Sequence, residues 1–416
     1  MKEKNPKKAF FWNIAGSSIY SGSSILYLLF VTRVIGVEEA GFFSLCYATA
    51  QLLLNLGRYG MRTYQATDLN AHYSFSEYRL SRFFTCSAML VGGLCYSLFC
   101  FRDYRVLACV LIVMMKMLDA VEDVYHGNLQ QIYCVEVMGK LLAVRNLYTI
   151  VVFIVSIYVT KALLPTLLVT VLSSLIVCIA INRWATRRCM KERGIVSGKI
   201  RLGEVFRLLG SCTVLFAGTF LSLLLYNIPK YAMSASMADD YQAYYSILFM
   251  PSFVITMLCE FVFKPTITNI ARTWNDGNLT RFRKYVLGIV GFIMAADIVV
   301  ILGGHFIGRR LLEIIYGVDL SSYKTDFIIL LAGGGIASVV YMLYNILIAI
   351  RKGGSILPVY LVATVLTVIP ARKMVELWGI RGACLNFVLS SMILFVQFAV
   401  LAAWHYRKRK KALAKG

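Results

Sequence analysis

The sequence predicts an all-α, polytopic membrane protein with about twelve transmembrane helices in two six-helix lobes. Three observations carry that expectation. Of the 416 residues 59% are hydrophobic, and the mean hydropathy is +0.70. Only 15% are charged, against roughly 25% in an ordinary soluble domain. So much apolar surface cannot all be buried in one water-soluble core, and lipid must cover part of it. The apolar runs approach about twenty residues and lack the roughly ten-residue alternation of an outer-membrane barrel, which leaves helices as the spanning element.

The spans fall at approximately 12–32, 41–61, 84–101, 106–125, 143–160, 162–181, 208–229, 243–263, 285–304, 327–349, 355–371 and 383–404. The first run is followed at once by another span and no small-residue cleavage site ends it, so no cleavable signal peptide is expected. The eleven cysteines stand singly, none in C-x-x-C spacing, and there are four histidines. This pattern gives no case for a disulfide framework or a metal site.

A net charge of +22 would suggest nucleic acid in a soluble protein. Its distribution argues for topology instead. With a cytoplasmic N-terminus, 30 of the 43 Lys and Arg fall in cytoplasmic segments and 11 on the opposite side, leaving Arg58 and Lys116 in the membrane interior. That is the positive-inside pattern, with both termini cytoplasmic and no nucleic-acid partner. The basic tail Arg407 to Lys411 is a topology anchor that also meets anionic membrane lipids.

The longest basic loop, about 182–207, divides the chain into an N-terminal lobe of helices 1–6 (1–195) and a C-terminal lobe of helices 7–12 (196–416). Six helices per half means both halves enter the membrane in the same direction, the signature of a parallel repeat. The first helix carries Asn13, Ser17, Tyr20, Ser24, Tyr27 and Val31 on one face, with Arg33 at its outer end. The seventh carries Ser211, Leu215, Thr219, Ser222, Tyr226 and Lys230 in a similar stripe. Such stripes serve as helix–helix packing or, given their matched positions, as two faces of one cavity that includes Tyr20 and Tyr27.

Ionisable groups inside spans are costly and face protein or water. Arg58 and Arg62 lie four apart near the inner end of the second helix, beside Gly57 and Gly60. Two bases on one face need an anion, either an acidic side chain or a ligand. The fourth helix carries Lys116, Asp119, Glu122, Asp123 and His126. Lys116 neutralises one acid; the others need Arg58 or Arg62, a cation or a proton. Asp119, Glu122 and Asp123 thus read either as an ion-coupling site or as an interhelix ion-pair network. Glu260 and Lys264 form an i,i+4 pair before Pro265 in the eighth helix, where the repeat would set Lys264 opposite the second helix. Pro229 and Pro251 interrupt the seventh and eighth helices, and prolines there bend helices that move. Asp297 stands alone in the ninth. No G-x-S-x-G, P-loop or His/Cys spacing supports an enzyme, and nothing in the pattern calls for a cofactor.

At Thr32-Arg33-Val34-Ile35-Gly36, Gly41-Phe42-Phe43 and Gly57-Arg58-Tyr59-Gly60-Met61-Arg62, the chain resembles the polysaccharide (O-antigen and capsule repeat unit) flippases. These belong to the multidrug, oligosaccharidyl-lipid and polysaccharide exporter superfamily. Ile228-Pro229-Lys230-Tyr231 with Met250-Pro251-Ser252 resembles the start of that family's second half. The likeness in helix count and charge layout covers nearly the whole chain, while sharp motifs are confined to about 30–80 and 226–275. Twelve spans argue against the fourteen-helix branch. The resemblance implies alternating-access transfer of an undecaprenyl-diphosphate-linked glycan across a bacterial cytoplasmic membrane. It also implies a polysaccharide polymerase and chain-length proteins as partners, and Arg33, Arg58, Arg62, Lys116, Lys230 and Lys264 as diphosphate contacts, Arg58 foremost. The multidrug branch, whose substrates are usually cationic amphiphiles, is the alternative; a structural scaffold for glycan assembly is a third reading.

Overall fold

The computed structural model describes residues 5–68, 72–195, 198, 200–350 and 353–413, apart from the side chains at 67, 254, 257–265, 268 and 353. The described residues form no strand. The helices are α1 (Pro6–Val34), α2 (Val37–Arg58), α3 (Met61–Thr67), α4 (Phe75–Cys100), α5 (Tyr104–Gln131), α6 (Val135–Thr160), α7 (Leu163–Glu192), α8 (Leu202–Ser234), α9 (Asp239–Asn275), α10 (Leu279–Gly303), α11 (Arg309–Tyr316), α12 (Lys324–Ala349), α13 (Ile356–Trp378) and α14 (Ile380–Leu413). Setting aside the short α3 and α11, the remaining helices follow the twelve expected spans in order. Among the described residues, ten helices are long and apolar enough to cross a membrane by length and composition. Helix α5 is not among them, because Lys116, Asp119, Glu122 and Asp123 interrupt its apolar run.

The chain divides into two compact units, Met1–Phe220 and Leu221–Gly416. The basic stretch at 182–207, expected as a loop, runs from the last turns of α7 into the first turns of α8, whereas this division falls further along α8.

In the first unit α5 is the central helix, packed by α2, α3, α4, α6 and α7. Its buried residues extend almost all round, from Ala108 to Leu129. Helix α1 lies along α6, and two glycines set how close it comes. A Cβ on Gly139 would stand 2.6 Å from the Trp12 carbonyl carbon, and one on Gly16 2.7 Å from the Gly139 oxygen. Small residues at such crossings let helix backbones meet without a side chain between them. A capping box opens α4: the Ser74 hydroxyl accepts from the Glu77 N–H, and the Glu77 carboxylate accepts from the Ser74 N–H, satisfying two donors that the first turn would otherwise orphan. The start of α8 closes the unit. Leu208 and Cys212 are buried with Met61, Tyr78 and Val124, the Phe216 ring stacks on Tyr59 at 4.6 Å, and Arg201 pairs with Glu77 at 2.9 Å.

In the second unit α12 holds α9, α10 and α14 around it, and its Gly333-Gly334-Gly335 run explains how. A Cβ on Gly333 would meet the Phe387 ring of α14 at 2.7 Å, one on Gly334 would meet Ser252 of α9 at 2.9 Å, and one on Gly335 would run into the Asp297 carboxylate of α10. Each glycine thus admits a different neighbour. Asp297, alone in the sequence pattern, has its place against a helix that offers it no side chain. Pro229 and Pro251 lie inside continuous helices and end neither.

Candidate functional site: a charge cluster around α5

The break between α2 and α3 sets the first part of the site. Tyr59 and Gly60 both take the left-handed conformation, at φ 52 and 68, which only glycine adopts without penalty. Helix α2 therefore stops at Arg58 and the chain restarts at Met61. This corrects the expectation of one span at 41–61 with Arg58 and Arg62 on a shared helical face. The two bases stand on different helices and still converge: Arg58 Nε lies 4.0 Å and Arg62 Nη1 3.5 Å from the same atom, Asp123 Oδ1.

The other Asp123 oxygen is taken by Arg82 of α4, Nη2 to Oδ2 at 2.8 Å, with both side chains 3% exposed. Arg82 also donates to the Gly57 carbonyl, which accepts a further bond from Thr85 Oγ1 at 2.8 Å. Gly57 makes that approach possible, since a Cβ there would stand 2.8 Å from the Met89 sulfur and 3.0 Å from Ala120.

One turn back along α5, Lys116 Nζ meets Asp119 Oδ2 at 2.9 Å and sits over the rings of Tyr20 and Tyr47 at 5.0 and 4.7 Å, a geometry that favours a cation. Arg145 of α6 bridges two acids. Its Nη2 donates to Asp119 Oδ1 and reaches Glu122 Oε2 at 2.7 Å, while Nε reaches Glu122 at 3.0 Å. The other Glu122 oxygen faces His126 Nε2 and Asn182 Nδ2, each at 3.4 Å. Lys116, Asp119, Glu122, Asp123, Arg82 and Arg145 are all buried.

This geometry sets the charge balance. Three buried acids, Asp119, Glu122 and Asp123, have three buried bases, Arg82, Lys116 and Arg145, at bonding distance. Arg58 and Arg62 are surplus. Their side chains are 36% and 35% exposed, and among the described residues their only acid is one already held by Arg82. Arg58 also donates to the Tyr20 hydroxyl at 3.3 Å and lies over its ring at 5.6 Å. The cluster thus has a neutral, closed interior and a positive, accessible edge made of Arg58, Arg62 and Tyr20.

The structure matches solved structures over nearly its whole length. A multidrug resistance MATE family transporter of the MOP superfamily in the inward-facing conformation superposes with a TM-score of 0.69 at 15% identity, covering 96% of this chain and 99% of the other. An outward-facing conformation of such a transporter gives 0.55 at 14%, covering 97% and 95%. A Pyrococcus furiosus MOP superfamily transporter, described as having a binding pocket of reverse polarity, gives 0.55 at 13% with the same coverage.

The chain has the MATE transporter fold.

No protein-family model and no curated protein matches the sequence, so the likeness to MATE transporters is one of fold. On that fold, the residues expected to act together from sequence fall in different places. Tyr20, Arg58, Arg62, Lys116, Asp119, Glu122 and Asp123 form the one cluster in the first unit. Tyr27 is 3% exposed and packs its ring against Phe153 at 4.8 Å. Arg33 is exposed in the last turn of α1. Lys230 is half-buried in the second unit and makes no ion pair among the described residues. The Glu260 and Lys264 side chains lie outside the described residues. Arg82 was expected just ahead of the span beginning at 84, and Arg145, two residues into the span beginning at 143, was counted with the bases of the cytoplasmic side. Helices α4 and α6 instead begin at Phe75 and Val135, which carries both bases into the bundle.

Proposed function

We propose that this protein is a membrane transporter working by alternating access, and that the edge formed by Arg58, Arg62 and Tyr20 takes an anionic substrate. The carrying observation is the surplus of accessible positive charge over a set of acids that are already paired. Such an edge attracts a phosphate or diphosphate and offers no free carboxylate to a cation. In this reading Asp119, Glu122 and Asp123 hold the bases in place and need not carry a coupling ion.

The substrate suggested by the sequence resemblance is a lipid-linked oligosaccharide diphosphate. Its charged and hydroxyl groups cannot cross hydrocarbon unaided, so a basic path would supply what the bilayer lacks while the prenyl tail stays in lipid. Outward movement of an anion is also favoured by an inside-negative potential, by about 2.3 kcal/mol per charge per 100 mV. Export of drug-like compounds is a second reading, favoured by the multidrug transporters among the structures of the same fold.

One pair of assays separates them. Cells carrying Arg58→Ala with Arg62→Ala are compared with wild type and a deletion for lipid-linked repeat units on the cytoplasmic face and for susceptibility to cationic drugs. The anion reading expects accumulation equal to the deletion at normal protein level, with drug susceptibility unchanged. Raised drug susceptibility in the deletion, with no accumulation in any strain, would move the assignment to drug export.

A further inference from the structure

Helix α7 has two unlike faces. Thr170, Ser174, Cys178, Asn182, Ala185 and Cys189 are buried against α5 and α6. The opposite face is exposed along its whole length, and its chemistry changes once. Leu172, Ile176 and Ile179 are bare apolar side chains, 58%, 70% and 41% exposed. Beyond them Arg183, Trp184 at 63%, Arg187, Arg188 and Lys191 are exposed in turn. Arg188 is engaged locally, with Glu192 at 3.2 Å and over the Trp184 ring at 5.6 Å. Arg183, Arg187 and Lys191 make no ion pair among the described residues. Spaced at i, i+4 and i+8, they form one row about 12 Å long at 1.5 Å rise per residue. Ile179, Arg183, Trp184 and Arg187 border an open recess of about 500 Å³.

We propose that this face of α7 is a binding site for an anionic phospholipid of the inner leaflet, with its phosphodiester on Arg183, Arg187 and Lys191. Its acyl chains lie along Leu172, Ile176 and Ile179, and Trp184 marks the level of the headgroup. Three features of the face support this occupant. An acyl chain needs exposed apolar side chains in line with the bases, and α7 provides them one turn apart. An indole where the apolar stretch gives way to bases, here Trp184 next to Arg183, is the usual signature of the membrane–water boundary. A row of bases without acids attracts phosphate, and basic recesses at the cytoplasmic end of spanning helices hold acidic headgroups. The charge distribution of the sequence sets this end of α7 on the cytoplasmic side. The inference is independent of which substrate the transporter carries.

The test uses the purified full-length protein in detergent, with bound lipid counted by native mass spectrometry after titration with phosphatidylglycerol, cardiolipin, phosphatidylcholine or farnesyl diphosphate. Wild type is compared with Arg183→Gln/Arg187→Gln/Lys191→Gln and with a control of equal charge loss outside the basic tail, Arg281→Gln/Arg283→Gln/Lys284→Gln, at three exposed bases around the start of α10. All six positions are on the surface, and thermal unfolding verifies that each variant is folded. The α7 variant is expected to retain about tenfold less phosphatidylglycerol and cardiolipin than wild type, the control to change by less than about twofold, and phosphatidylcholine retention to be the same in all three. Equal losses in both variants would show charge attraction without a site. Unchanged retention in the α7 variant, or displacement of phospholipid by equimolar farnesyl diphosphate, would overturn the assignment.

Discussion

Replacing Arg145 by Met tests whether the cluster around α5 holds the first unit together. Arg145 is 3% exposed and binds Glu122 through two nitrogens at 2.7 and 3.0 Å. Without it Asp119 keeps Lys116 at 2.9 Å, but Glu122 is left with a histidine and an amide, each at 3.4 Å. Breaking a buried pair by removing one partner costs about 3–5 kcal/mol, because a charge stays buried without compensation. Arg58→Met is the matched control. That side chain is 36% exposed and 4.0 Å from an acid that Arg82 already holds, so its removal costs about 0–1 kcal/mol. Denaturant unfolding of the purified protein in detergent reads the difference. The double variant Glu122→Gln/Arg145→Met removes both charges and is expected to recover most of the loss, giving a coupling energy toward the upper end of the roughly 0.5–3 kcal/mol found for contacting residues. The reasoning fails if Arg145→Met is no less stable than Arg58→Met, or if the double variant is as unstable as the single.

Four further outcomes follow from the same geometry. Gly139→Ala, whose Cβ meets the Trp12 backbone, is expected to cost about 1–3 kcal/mol by overpacking, while Gly22→Ala, with nothing within 4 Å, leaves unfolding unchanged or slightly delayed. Ser74→Ala removes the α4 cap and is expected to cost about 1 kcal/mol, seen as faster limited proteolysis near residue 74. Cys100 is exposed at the end of α4; in right-side-out vesicles an impermeant maleimide should label it, with the signal lost in Cys100→Ser, and labelling only after permeabilisation would invert the topology. Asp123→Asn leaves Arg58, Arg62 and Arg82 without their shared acid, so added pyrophosphate should raise the unfolding temperature more in this variant than in wild type; stabilisation by ethidium and none by pyrophosphate would count against an anion site.

Hydropathy over about twenty residues is enough to locate a spanning helix, and the twelve long helices follow the expected spans in order. It marks only the apolar part of each helix, however. Arg82 sits immediately before the apolar stretch of α4 and Arg145 at the inner edge of that of α6, where a hydropathy reading counts both with the bases of the cytoplasmic side. Their burial depends on α4 and α6 continuing past those stretches to pack on α5, which is tertiary information. One signal for them did exist. Asp119, Glu122 and Asp123 lie within seven residues of Lys116 with no other lysine or arginine in that stretch, and three acids beside one lysine demand further bases from other helices. The break at Tyr59-Gly60 was foreshadowed only by its glycine. The role of Gly335 was not legible, since nothing local marks it as the residue that makes room for Asp297.

For the proposed transporter, the fold leaves the sign of the substrate open, and the arrangement of charge bears on it directly. A site for cations needs a carboxylate that is accessible and not already neutralised. In the first unit each of Asp119, Glu122 and Asp123 is buried with a base within 3 Å. Withdrawing one for a passing cation would strand its arginine or lysine at the cost of a broken buried pair. An anion needs the opposite, a base that can leave its acid cheaply. Arg58 and Arg62 meet that condition, because Asp123 remains paired with Arg82 when either swings away, and their contacts at 4.0 and 3.5 Å are long enough to give up little. The buried half of the cluster therefore anchors α2, α4, α5 and α6 while the exposed half is free to exchange partners. A diphosphate that binds Arg58 and Arg62 replaces a shared carboxylate with a ligand of higher charge and does not disturb the pairs that keep the unit folded.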